Sequence, residues 1–266
     1  MLTSHNYSKH AIYTILFMAL VHSFEKNGNM LFKYRGQIPV ILFLLAIPTL
    51  YFTDPVCILK NDMLYYSLTG VAVAMSLLGQ IIRAIAIGTS NKNTSGRNTK
   101  EQVAEALNTK GIYSTVRHPL YLGNYFMWIG IVFFTFNWWF FITVSLLFWI
   151  YYERIMFAEE RFLERKFGES YVNWSMGIPA FWPSMKNYKK GEIPFSMKTI
   201  MRREYAGITA TMLGFIFVAY LREWFLTEKV PTSLNYVYWT AGALLISLIF
   251  RTLKHNTKIL FEEDRS

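Results

Sequence analysis

The stretch Gly111-Ile112-Tyr113-Ser114-Thr115-Val116-Arg117-His118-Pro119-Leu120-Tyr121-Leu122-Gly123 ends a polar segment and opens an apolar run. Its Arg, His and Tyr side chains are therefore expected at a membrane-water boundary. Proline suits the first position of a helix, where its fixed φ is right and its missing N–H leaves no bond unmade, so Pro119 marks a helix start and His118 its cap. The first-turn amides of such a helix carry partial positive charge, and with Arg117 beside them they predict a site for a carboxylate or a phosphate.

The composition around this stretch favours a membrane as solvent. Of 266 residues 53% are hydrophobic and 18% aromatic, more than a soluble globule usually carries. A net charge of +10 raises nucleic acid as a partner, but the basic residues sit beside apolar runs, as expected for loops facing anionic headgroups. No nucleic acid is expected. The single Cys57 excludes an internal disulfide, and the five scattered His residues have no zinc- or iron-binding spacing, so no metal is expected.

The apolar runs predict spans at Ala11 to Phe24, Ile38 to Thr53, Met63 to Ile87, Pro119 to Phe136, Trp138 to Tyr152, Tyr205 to Leu221 and Leu234 to Phe250. The fold class is thus an all-α integral membrane protein of about seven transmembrane helices. Several runs fall short of the usual ~20 residues, and the first is short enough to lie in the interface. It lacks a basic n-region and a small-x-small cleavage site, so it is expected to stay as a membrane segment. With the amino end outside, 22 of the 27 Lys and Arg fall in the inner segments 25–37, 88–118, 153–204 and 251–266. That asymmetry predicts an inside carboxyl end. Arg83, near the inner end of the third run, reads as snorkelling to the headgroups rather than lining a polar site.

Thr99-Lys100-Glu101-Gln102 is a capping-box pattern that predicts a short amphipathic helix with Val103, Ala106 and Leu107 on its apolar side, lying on the inner leaflet. The turn Phe136-Asn137-Trp138 is too short to hold a domain, which predicts a tight helical hairpin. The second arm of the hairpin reads as continuing through Glu159-Glu160 to stop at Gly168. On that extension Glu159 falls in line with Tyr152, Met156 and Leu163, the apolar stripe, whereas Glu160 aligns with Glu153 and Glu164. A carboxylate on a packed face needs a partner: an ion pair with Arg117 or Arg154, or ligand hydroxyls or an amine.

Gly-x-Tyr-x-x-x-Arg-His-Pro-x-Tyr-x-Gly at 111–123, followed by Glu159-Glu160, Leu163, Phe167-Gly168, Tyr171 and Pro179-Ala180-Phe181-Trp182-Pro183, resembles the isoprenylcysteine carboxyl methyltransferase and phospholipid methyltransferase superfamily. The resemblance divides the chain into amino-terminal helices and a polar loop (1–110), a methyltransferase core (111–183), and a carboxyl-terminal helix pair with a tail (184–266). It implies S-adenosylmethionine as methyl donor, bound at the cytosolic end of the helices, and a lipid or lipidated acceptor arriving from the bilayer. The implied binding residues are Tyr113, Arg117, His118, Pro119, Tyr121, Gly123, Glu159, Glu160 and Tyr171. Their chemistry suits that donor: positive potential for its carboxylate, aromatic faces for its sulfonium, and carboxylates for its amine and ribose hydroxyls. His118 and Glu159 are the candidate catalytic residues, His118 mainly as an anchor and Glu159 as the base if the acceptor is an amine.

Trp174 stands where the superfamily often repeats a Tyr, and no Gly-x-Gly occurs, so a Rossmann-type site has no fingerprint. The acceptor stays open between a prenylcysteine carboxylate, a phospholipid amine and another headgroup. A non-catalytic carrier or scaffold that kept the hairpin is the alternative, although no internal repeat of the carrier type is present.

Overall fold

The computed structural model describes residues 3–90, 94, 102 and 104–263; for 3–17, 38 and 39 it describes only the backbone. The described chain is all-helical, in the order α1 (Thr3–Tyr34), α2 (Ile38–Tyr51), α3 (Val56–Leu59), α4 (Asp62–Gly88), α5 (Pro119–Phe133), α6 (Trp138–Phe167), α7 (Glu169–Ser175), α8 (Met197–Thr227) and α9 (Leu234–Asn256). No strand occurs among the described residues.

Helix boundaries follow the local chemistry. Asn61, Asn137 and Ser196 each accept a first-turn amide of α4, α6 and α8 through their side chains, which supplies partners to amides the helix itself leaves unpaired. Pro119 sits at the start of α5 with His118 as the cap residue, as expected, but the His118 side chain makes no capping bond. The hairpin forms through a turn in which Phe136 takes φ 59°, and α6 runs unbroken to Phe167 before Gly168 at φ 55°.

Of the seven expected spans, four are supported by length and composition. Four described helices, α4, α6, α8 and α9, are long and apolar enough to cross a membrane. The second and fourth expected spans are helices of 14 and 15 residues. At ~1.5 Å per residue each covers about 22 Å, less than the ~30 Å hydrocarbon core. The first expected span lies within α1, and for half of it, 11–17, only the backbone is described. The capping-box helix is also corrected: Thr99–Glu101 and Val103 lie outside the described residues, and 104–110 is irregular rather than helical.

Helix α5 packs more closely on α4 than on its hairpin partner because small residues face each other there. A methyl group built on Gly79 would stand 2.4 Å from the Met127 amide nitrogen, and one on Gly130 would stand 2.3 Å from the Ser76 hydroxyl and 2.5 Å from the Ala72 carbonyl. Ser76 donates to the Met127 carbonyl at 2.8 Å across the same seam. Since the obstacle at both glycines includes backbone, Gly79→Ala and Gly130→Ala are expected to push the helices apart and destabilise the protein by about 1–3 kcal/mol each, read as a lower melting temperature in detergent. The seam matters for function because it continues to the start of α5, where Gly123 meets Gly79 and Arg83 of α4.

Candidate active site

The polar stretch and the exit segment 179–189, far apart in sequence, pair through their backbones. Arg117 and His118 amides donate to the carbonyls of Pro179 (2.9 Å) and Ala180 (3.2 Å), Ser184 donates to Thr115 (2.9 Å), and Gly111 donates to Lys189 (2.9 Å). A one-turn 3-10 helix, Gly111–Ser114, is tied in by the Lys189 amide on the Ser114 hydroxyl at 2.9 Å. These bonds bring both halves of the motif to one end of the hairpin.

Beside the Arg-His-Pro turn lies a cavity of about 500 Å³, within the range of small-molecule sites. Tyr113, Arg117, His118, Pro119, Tyr121, Glu159 and Tyr171, seven of the nine expected residues, line it. Glu160 and Gly123 do not. Glu160 lies one step behind the wall, accepting from Arg117 Nε at 2.9 Å and contacting His118 Nε2 at 2.9 Å. Gly123 faces α4, where a Cβ would meet Arg83 Cγ at 2.5 Å; it is a packing glycine that lets the Arg83 chain pass.

Arg117 is not a free cation waiting for an anion. Besides Glu160, its Nη1 donates to the carbonyls of Ser175 (2.7 Å) and Ile178 (3.1 Å) at the end of α7. The helix start offers little more, since Pro119 has no N–H and the Tyr121 and Leu122 amides bond to the His118 carbonyl. Of the expected ion pairs for Glu159 neither forms: Arg117 takes Glu160, and Arg154 lies over the Phe24 ring at 3.3 Å. Glu159 Oε2 is 3.7 Å from His118 Nδ1 and is buried with no hydrogen-bond partner.

Two further lining residues share that condition, the Tyr171 hydroxyl and the Trp174 indole N–H. Burial, with Glu160 next, holds the Tyr171 phenol well above its usual value, and burial with Glu159 does the same for Tyr113, so both keep their protons as donors. A buried polar atom without a partner is costly, and three on one cavity wall mark where a ligand's polar groups belong. Trp174, noted in the sequence only as a departure, thus contributes a donor of its own.

A second cluster at the deep end was not legible in the sequence. Arg83 donates through Nε and Nη2 to the two oxygens of Glu204 at 2.6 and 2.7 Å, and through Nη1 to Asn124 at 2.6 Å. Asn124 donates to the Tyr152 hydroxyl at 3.2 Å, so one network joins α4, α5, α6 and α8. Arg83 therefore does not snorkel. A lone arginine in a long apolar run was the available signal; its partner, 121 residues away, carried none. Among the described residues no group of three or more His, Cys, Asp or Glu is placed to hold a metal ion.

A family model described as phospholipid methyltransferase matches residues 68–170. Protein-S-isoprenylcysteine O-methyltransferase of Xenopus laevis is 31% identical over 124 residues, 46% of this chain and 43% of that protein. The Tribolium castaneum protein of that name is 26% identical over 123 residues, 46% of this chain and 44% of its own. Under half of the chain is thus similar to the phospholipid methyltransferase family and to isoprenylcysteine O-methyltransferases. The Arabidopsis thaliana B form, 28% identical over 120 residues, covers 45% of this chain and 61% of that protein. No solved structure matches. The chain spans under half the length of the first two of these relatives, and the family match holds most of α4, the Arg-His-Pro motif, the hairpin and Glu159-Glu160. Trp174 and Glu204 lie beyond residue 170, so part of this chain's cavity is built outside the matched residues.

Proposed function

We propose that the chain is an integral membrane S-adenosylmethionine-dependent methyltransferase that transfers a methyl group to a lipid or lipidated acceptor at the cytosolic membrane face. The observation that carries this reading is the trio of unpartnered buried atoms, Glu159 Oε2, Tyr171 OH and Trp174 Nε1, on one wall of a cavity that the Arg-His-Pro motif also lines. The likeness of residues 68–170 to a phospholipid methyltransferase family supports it.

The residues fit the donor. Glu159 has an open acceptor for an amine or ribose hydroxyl; Tyr171 and Trp174 have donors for a carboxylate or ring nitrogen; Tyr113, Tyr121 and Tyr171 offer faces to a cation, worth ~0.5–2 kcal/mol each. When bound, adenosylmethionine supplies an electrophilic methyl on a sulfonium. The protein's part is then to align the acceptor and exclude water, tasks of position rather than covalent chemistry. Tyr121 lies nearly parallel to the His118 ring at 5.6 Å and tilts against Tyr152 at 4.9 Å, which holds it at the junction of the polar wall and the deep network. Met127 and Trp128 continue the lining inward along α5, the side from which an acceptor in the bilayer arrives. His118, with Nε2 on Glu160 and Nδ1 toward Glu159, acts as an anchor for both carboxylates. For an amine acceptor, Glu159 is the base within the cavity; a carboxylate acceptor needs none.

Equilibrium binding of adenosylmethionine to detergent-purified protein tests the reading and separates it from a non-catalytic scaffold. Glu159→Gln is expected to weaken binding ten- to a hundredfold, since losing an acceptor for a polar or charged ligand costs ~1.5–3 kcal/mol. Glu160→Gln should weaken it indirectly, by releasing Arg117 and His118. Unchanged affinity in both proteins would count decisively against the assignment. For the cytosolic face, cysteine-accessibility labelling should find residues 90–110 and 185–200 on one side of the membrane together; opposite sides would overturn that orientation.

A further inference from the structure

The exit segment does not line the cavity but is bonded to the Arg-His-Pro turn that does. Phe181 is buried at 4% exposure and packs edge-on against Trp149 at 5.3 Å and near Tyr125 at 6.0 Å, residues well inside α6 and α5. Trp149 is itself 43% exposed on a helix apolar enough to cross a membrane, so the segment dips to the level where that helix meets lipid. Its outer surface is of one kind: Trp182, Met185 and Tyr188 are exposed, and Lys186, Lys189 and Lys190 stand exposed among them, with Lys198 exposed at the start of α8. Across 176–198 these four lysines face one acid, Glu192, which pairs with Lys110.

Exposed apolar groups of this size are disfavoured in water, and indole and phenol rings with lysines between them suit the headgroup layer, rings at its apolar edge and ammonium groups among the phosphates. We propose that the collar 182–198 is a docking surface for anionic phospholipid headgroups of the leaflet beside the Arg-His-Pro turn. The occupant is argued from charge complementarity and from the depth at which Phe181 is seated. The collar bonds to Gly111 and Thr115, and the adjoining Pro179 and Ala180 bond to Arg117 and His118 of the cavity wall, so lipid held at the collar also steadies that wall.

Juxtamembrane lysines each contribute roughly fivefold to binding anionic lipid, so removing three should lower that preference roughly a hundredfold. The test uses the full chain in nanodiscs of phosphatidylcholine, with or without phosphatidylglycerol. An environment-sensitive dye is placed at residue 185 by Met185→Cys, with the exposed Cys57 removed by Cys57→Ser. The emission should shift to the blue as phosphatidylglycerol is added, revert at high salt, and fail to respond in the Lys186→Gln, Lys190→Gln, Lys198→Gln protein. Equal emission in both lipid compositions would overturn the proposal, as would a shift that survives the triple substitution. A shift produced in pure phosphatidylcholine by soluble polyphosphate would overturn it too, by assigning the collar to a polyanion in water.

Discussion

Glu204→Ala is expected to destabilise the protein by about 3–5 kcal/mol, because it leaves the Arg83 guanidinium at the cavity's deep end without its carboxylate. Glu204 is 1% exposed and Arg83 16%, so water can do little to replace the lost partner. With ~2–4 °C of melting temperature per kcal/mol in a chain of this size, the fall should be on the order of 10 °C in detergent. Glu204→Gln keeps the volume and removes the charge, and should fall nearly as far. Removing both charges in Arg83→Met, Glu204→Met should cost much less than either single change, since no unpaired ion then remains buried. Additive losses in the double-mutant cycle would show that the pair is not coupled as the geometry has it. The pair joins α4 to α8, so its loss also loosens the wall that α8 adds to the cavity.

Arg117→Ala should weaken adenosylmethionine binding by about a hundredfold while leaving turnover at saturation less affected. The reason differs from the one the sequence offered. Arg117 bridges Glu160 on α6 to the carbonyls of Ser175 and Ile178, and so holds α7, with Tyr171 and Trp174, against the Arg-His-Pro turn. Each hydrogen bond to a charged group contributes ~1.5–3 kcal/mol, and loss of a net ~3 kcal/mol of positioning corresponds to the predicted factor. Arg117→Lys should restore little, because a point ammonium cannot reach three acceptors that a planar fork reaches at once. Titration of the purified variants with adenosylmethionine checks this; a lysine variant with native affinity would return Arg117 to the role of a simple positive charge.

The sequence by itself determined what depends on neighbours along the chain. Pro119 started α5, Asn137 capped α6, and Gly168 ended a helix that carries Glu159 and Glu160 past the apolar run, because propensity, capping and periodicity act within a turn or two. The same local order carried the superfamily's motif and with it most of the cavity's polar wall. What only the tertiary structure decided lies across helices. Glu159, on the apolar stripe, faces the cavity with an unpartnered oxygen, while its neighbour Glu160 takes Arg117; Gly123, inside the motif, serves the α4 seam; Arg83 meets Glu204 instead of the headgroups. Each outcome depends on which faces of two helices meet and how closely, and close approach at Gly79, Gly123 and Gly130 is a property of both surfaces at once, which one helix's periodicity cannot specify.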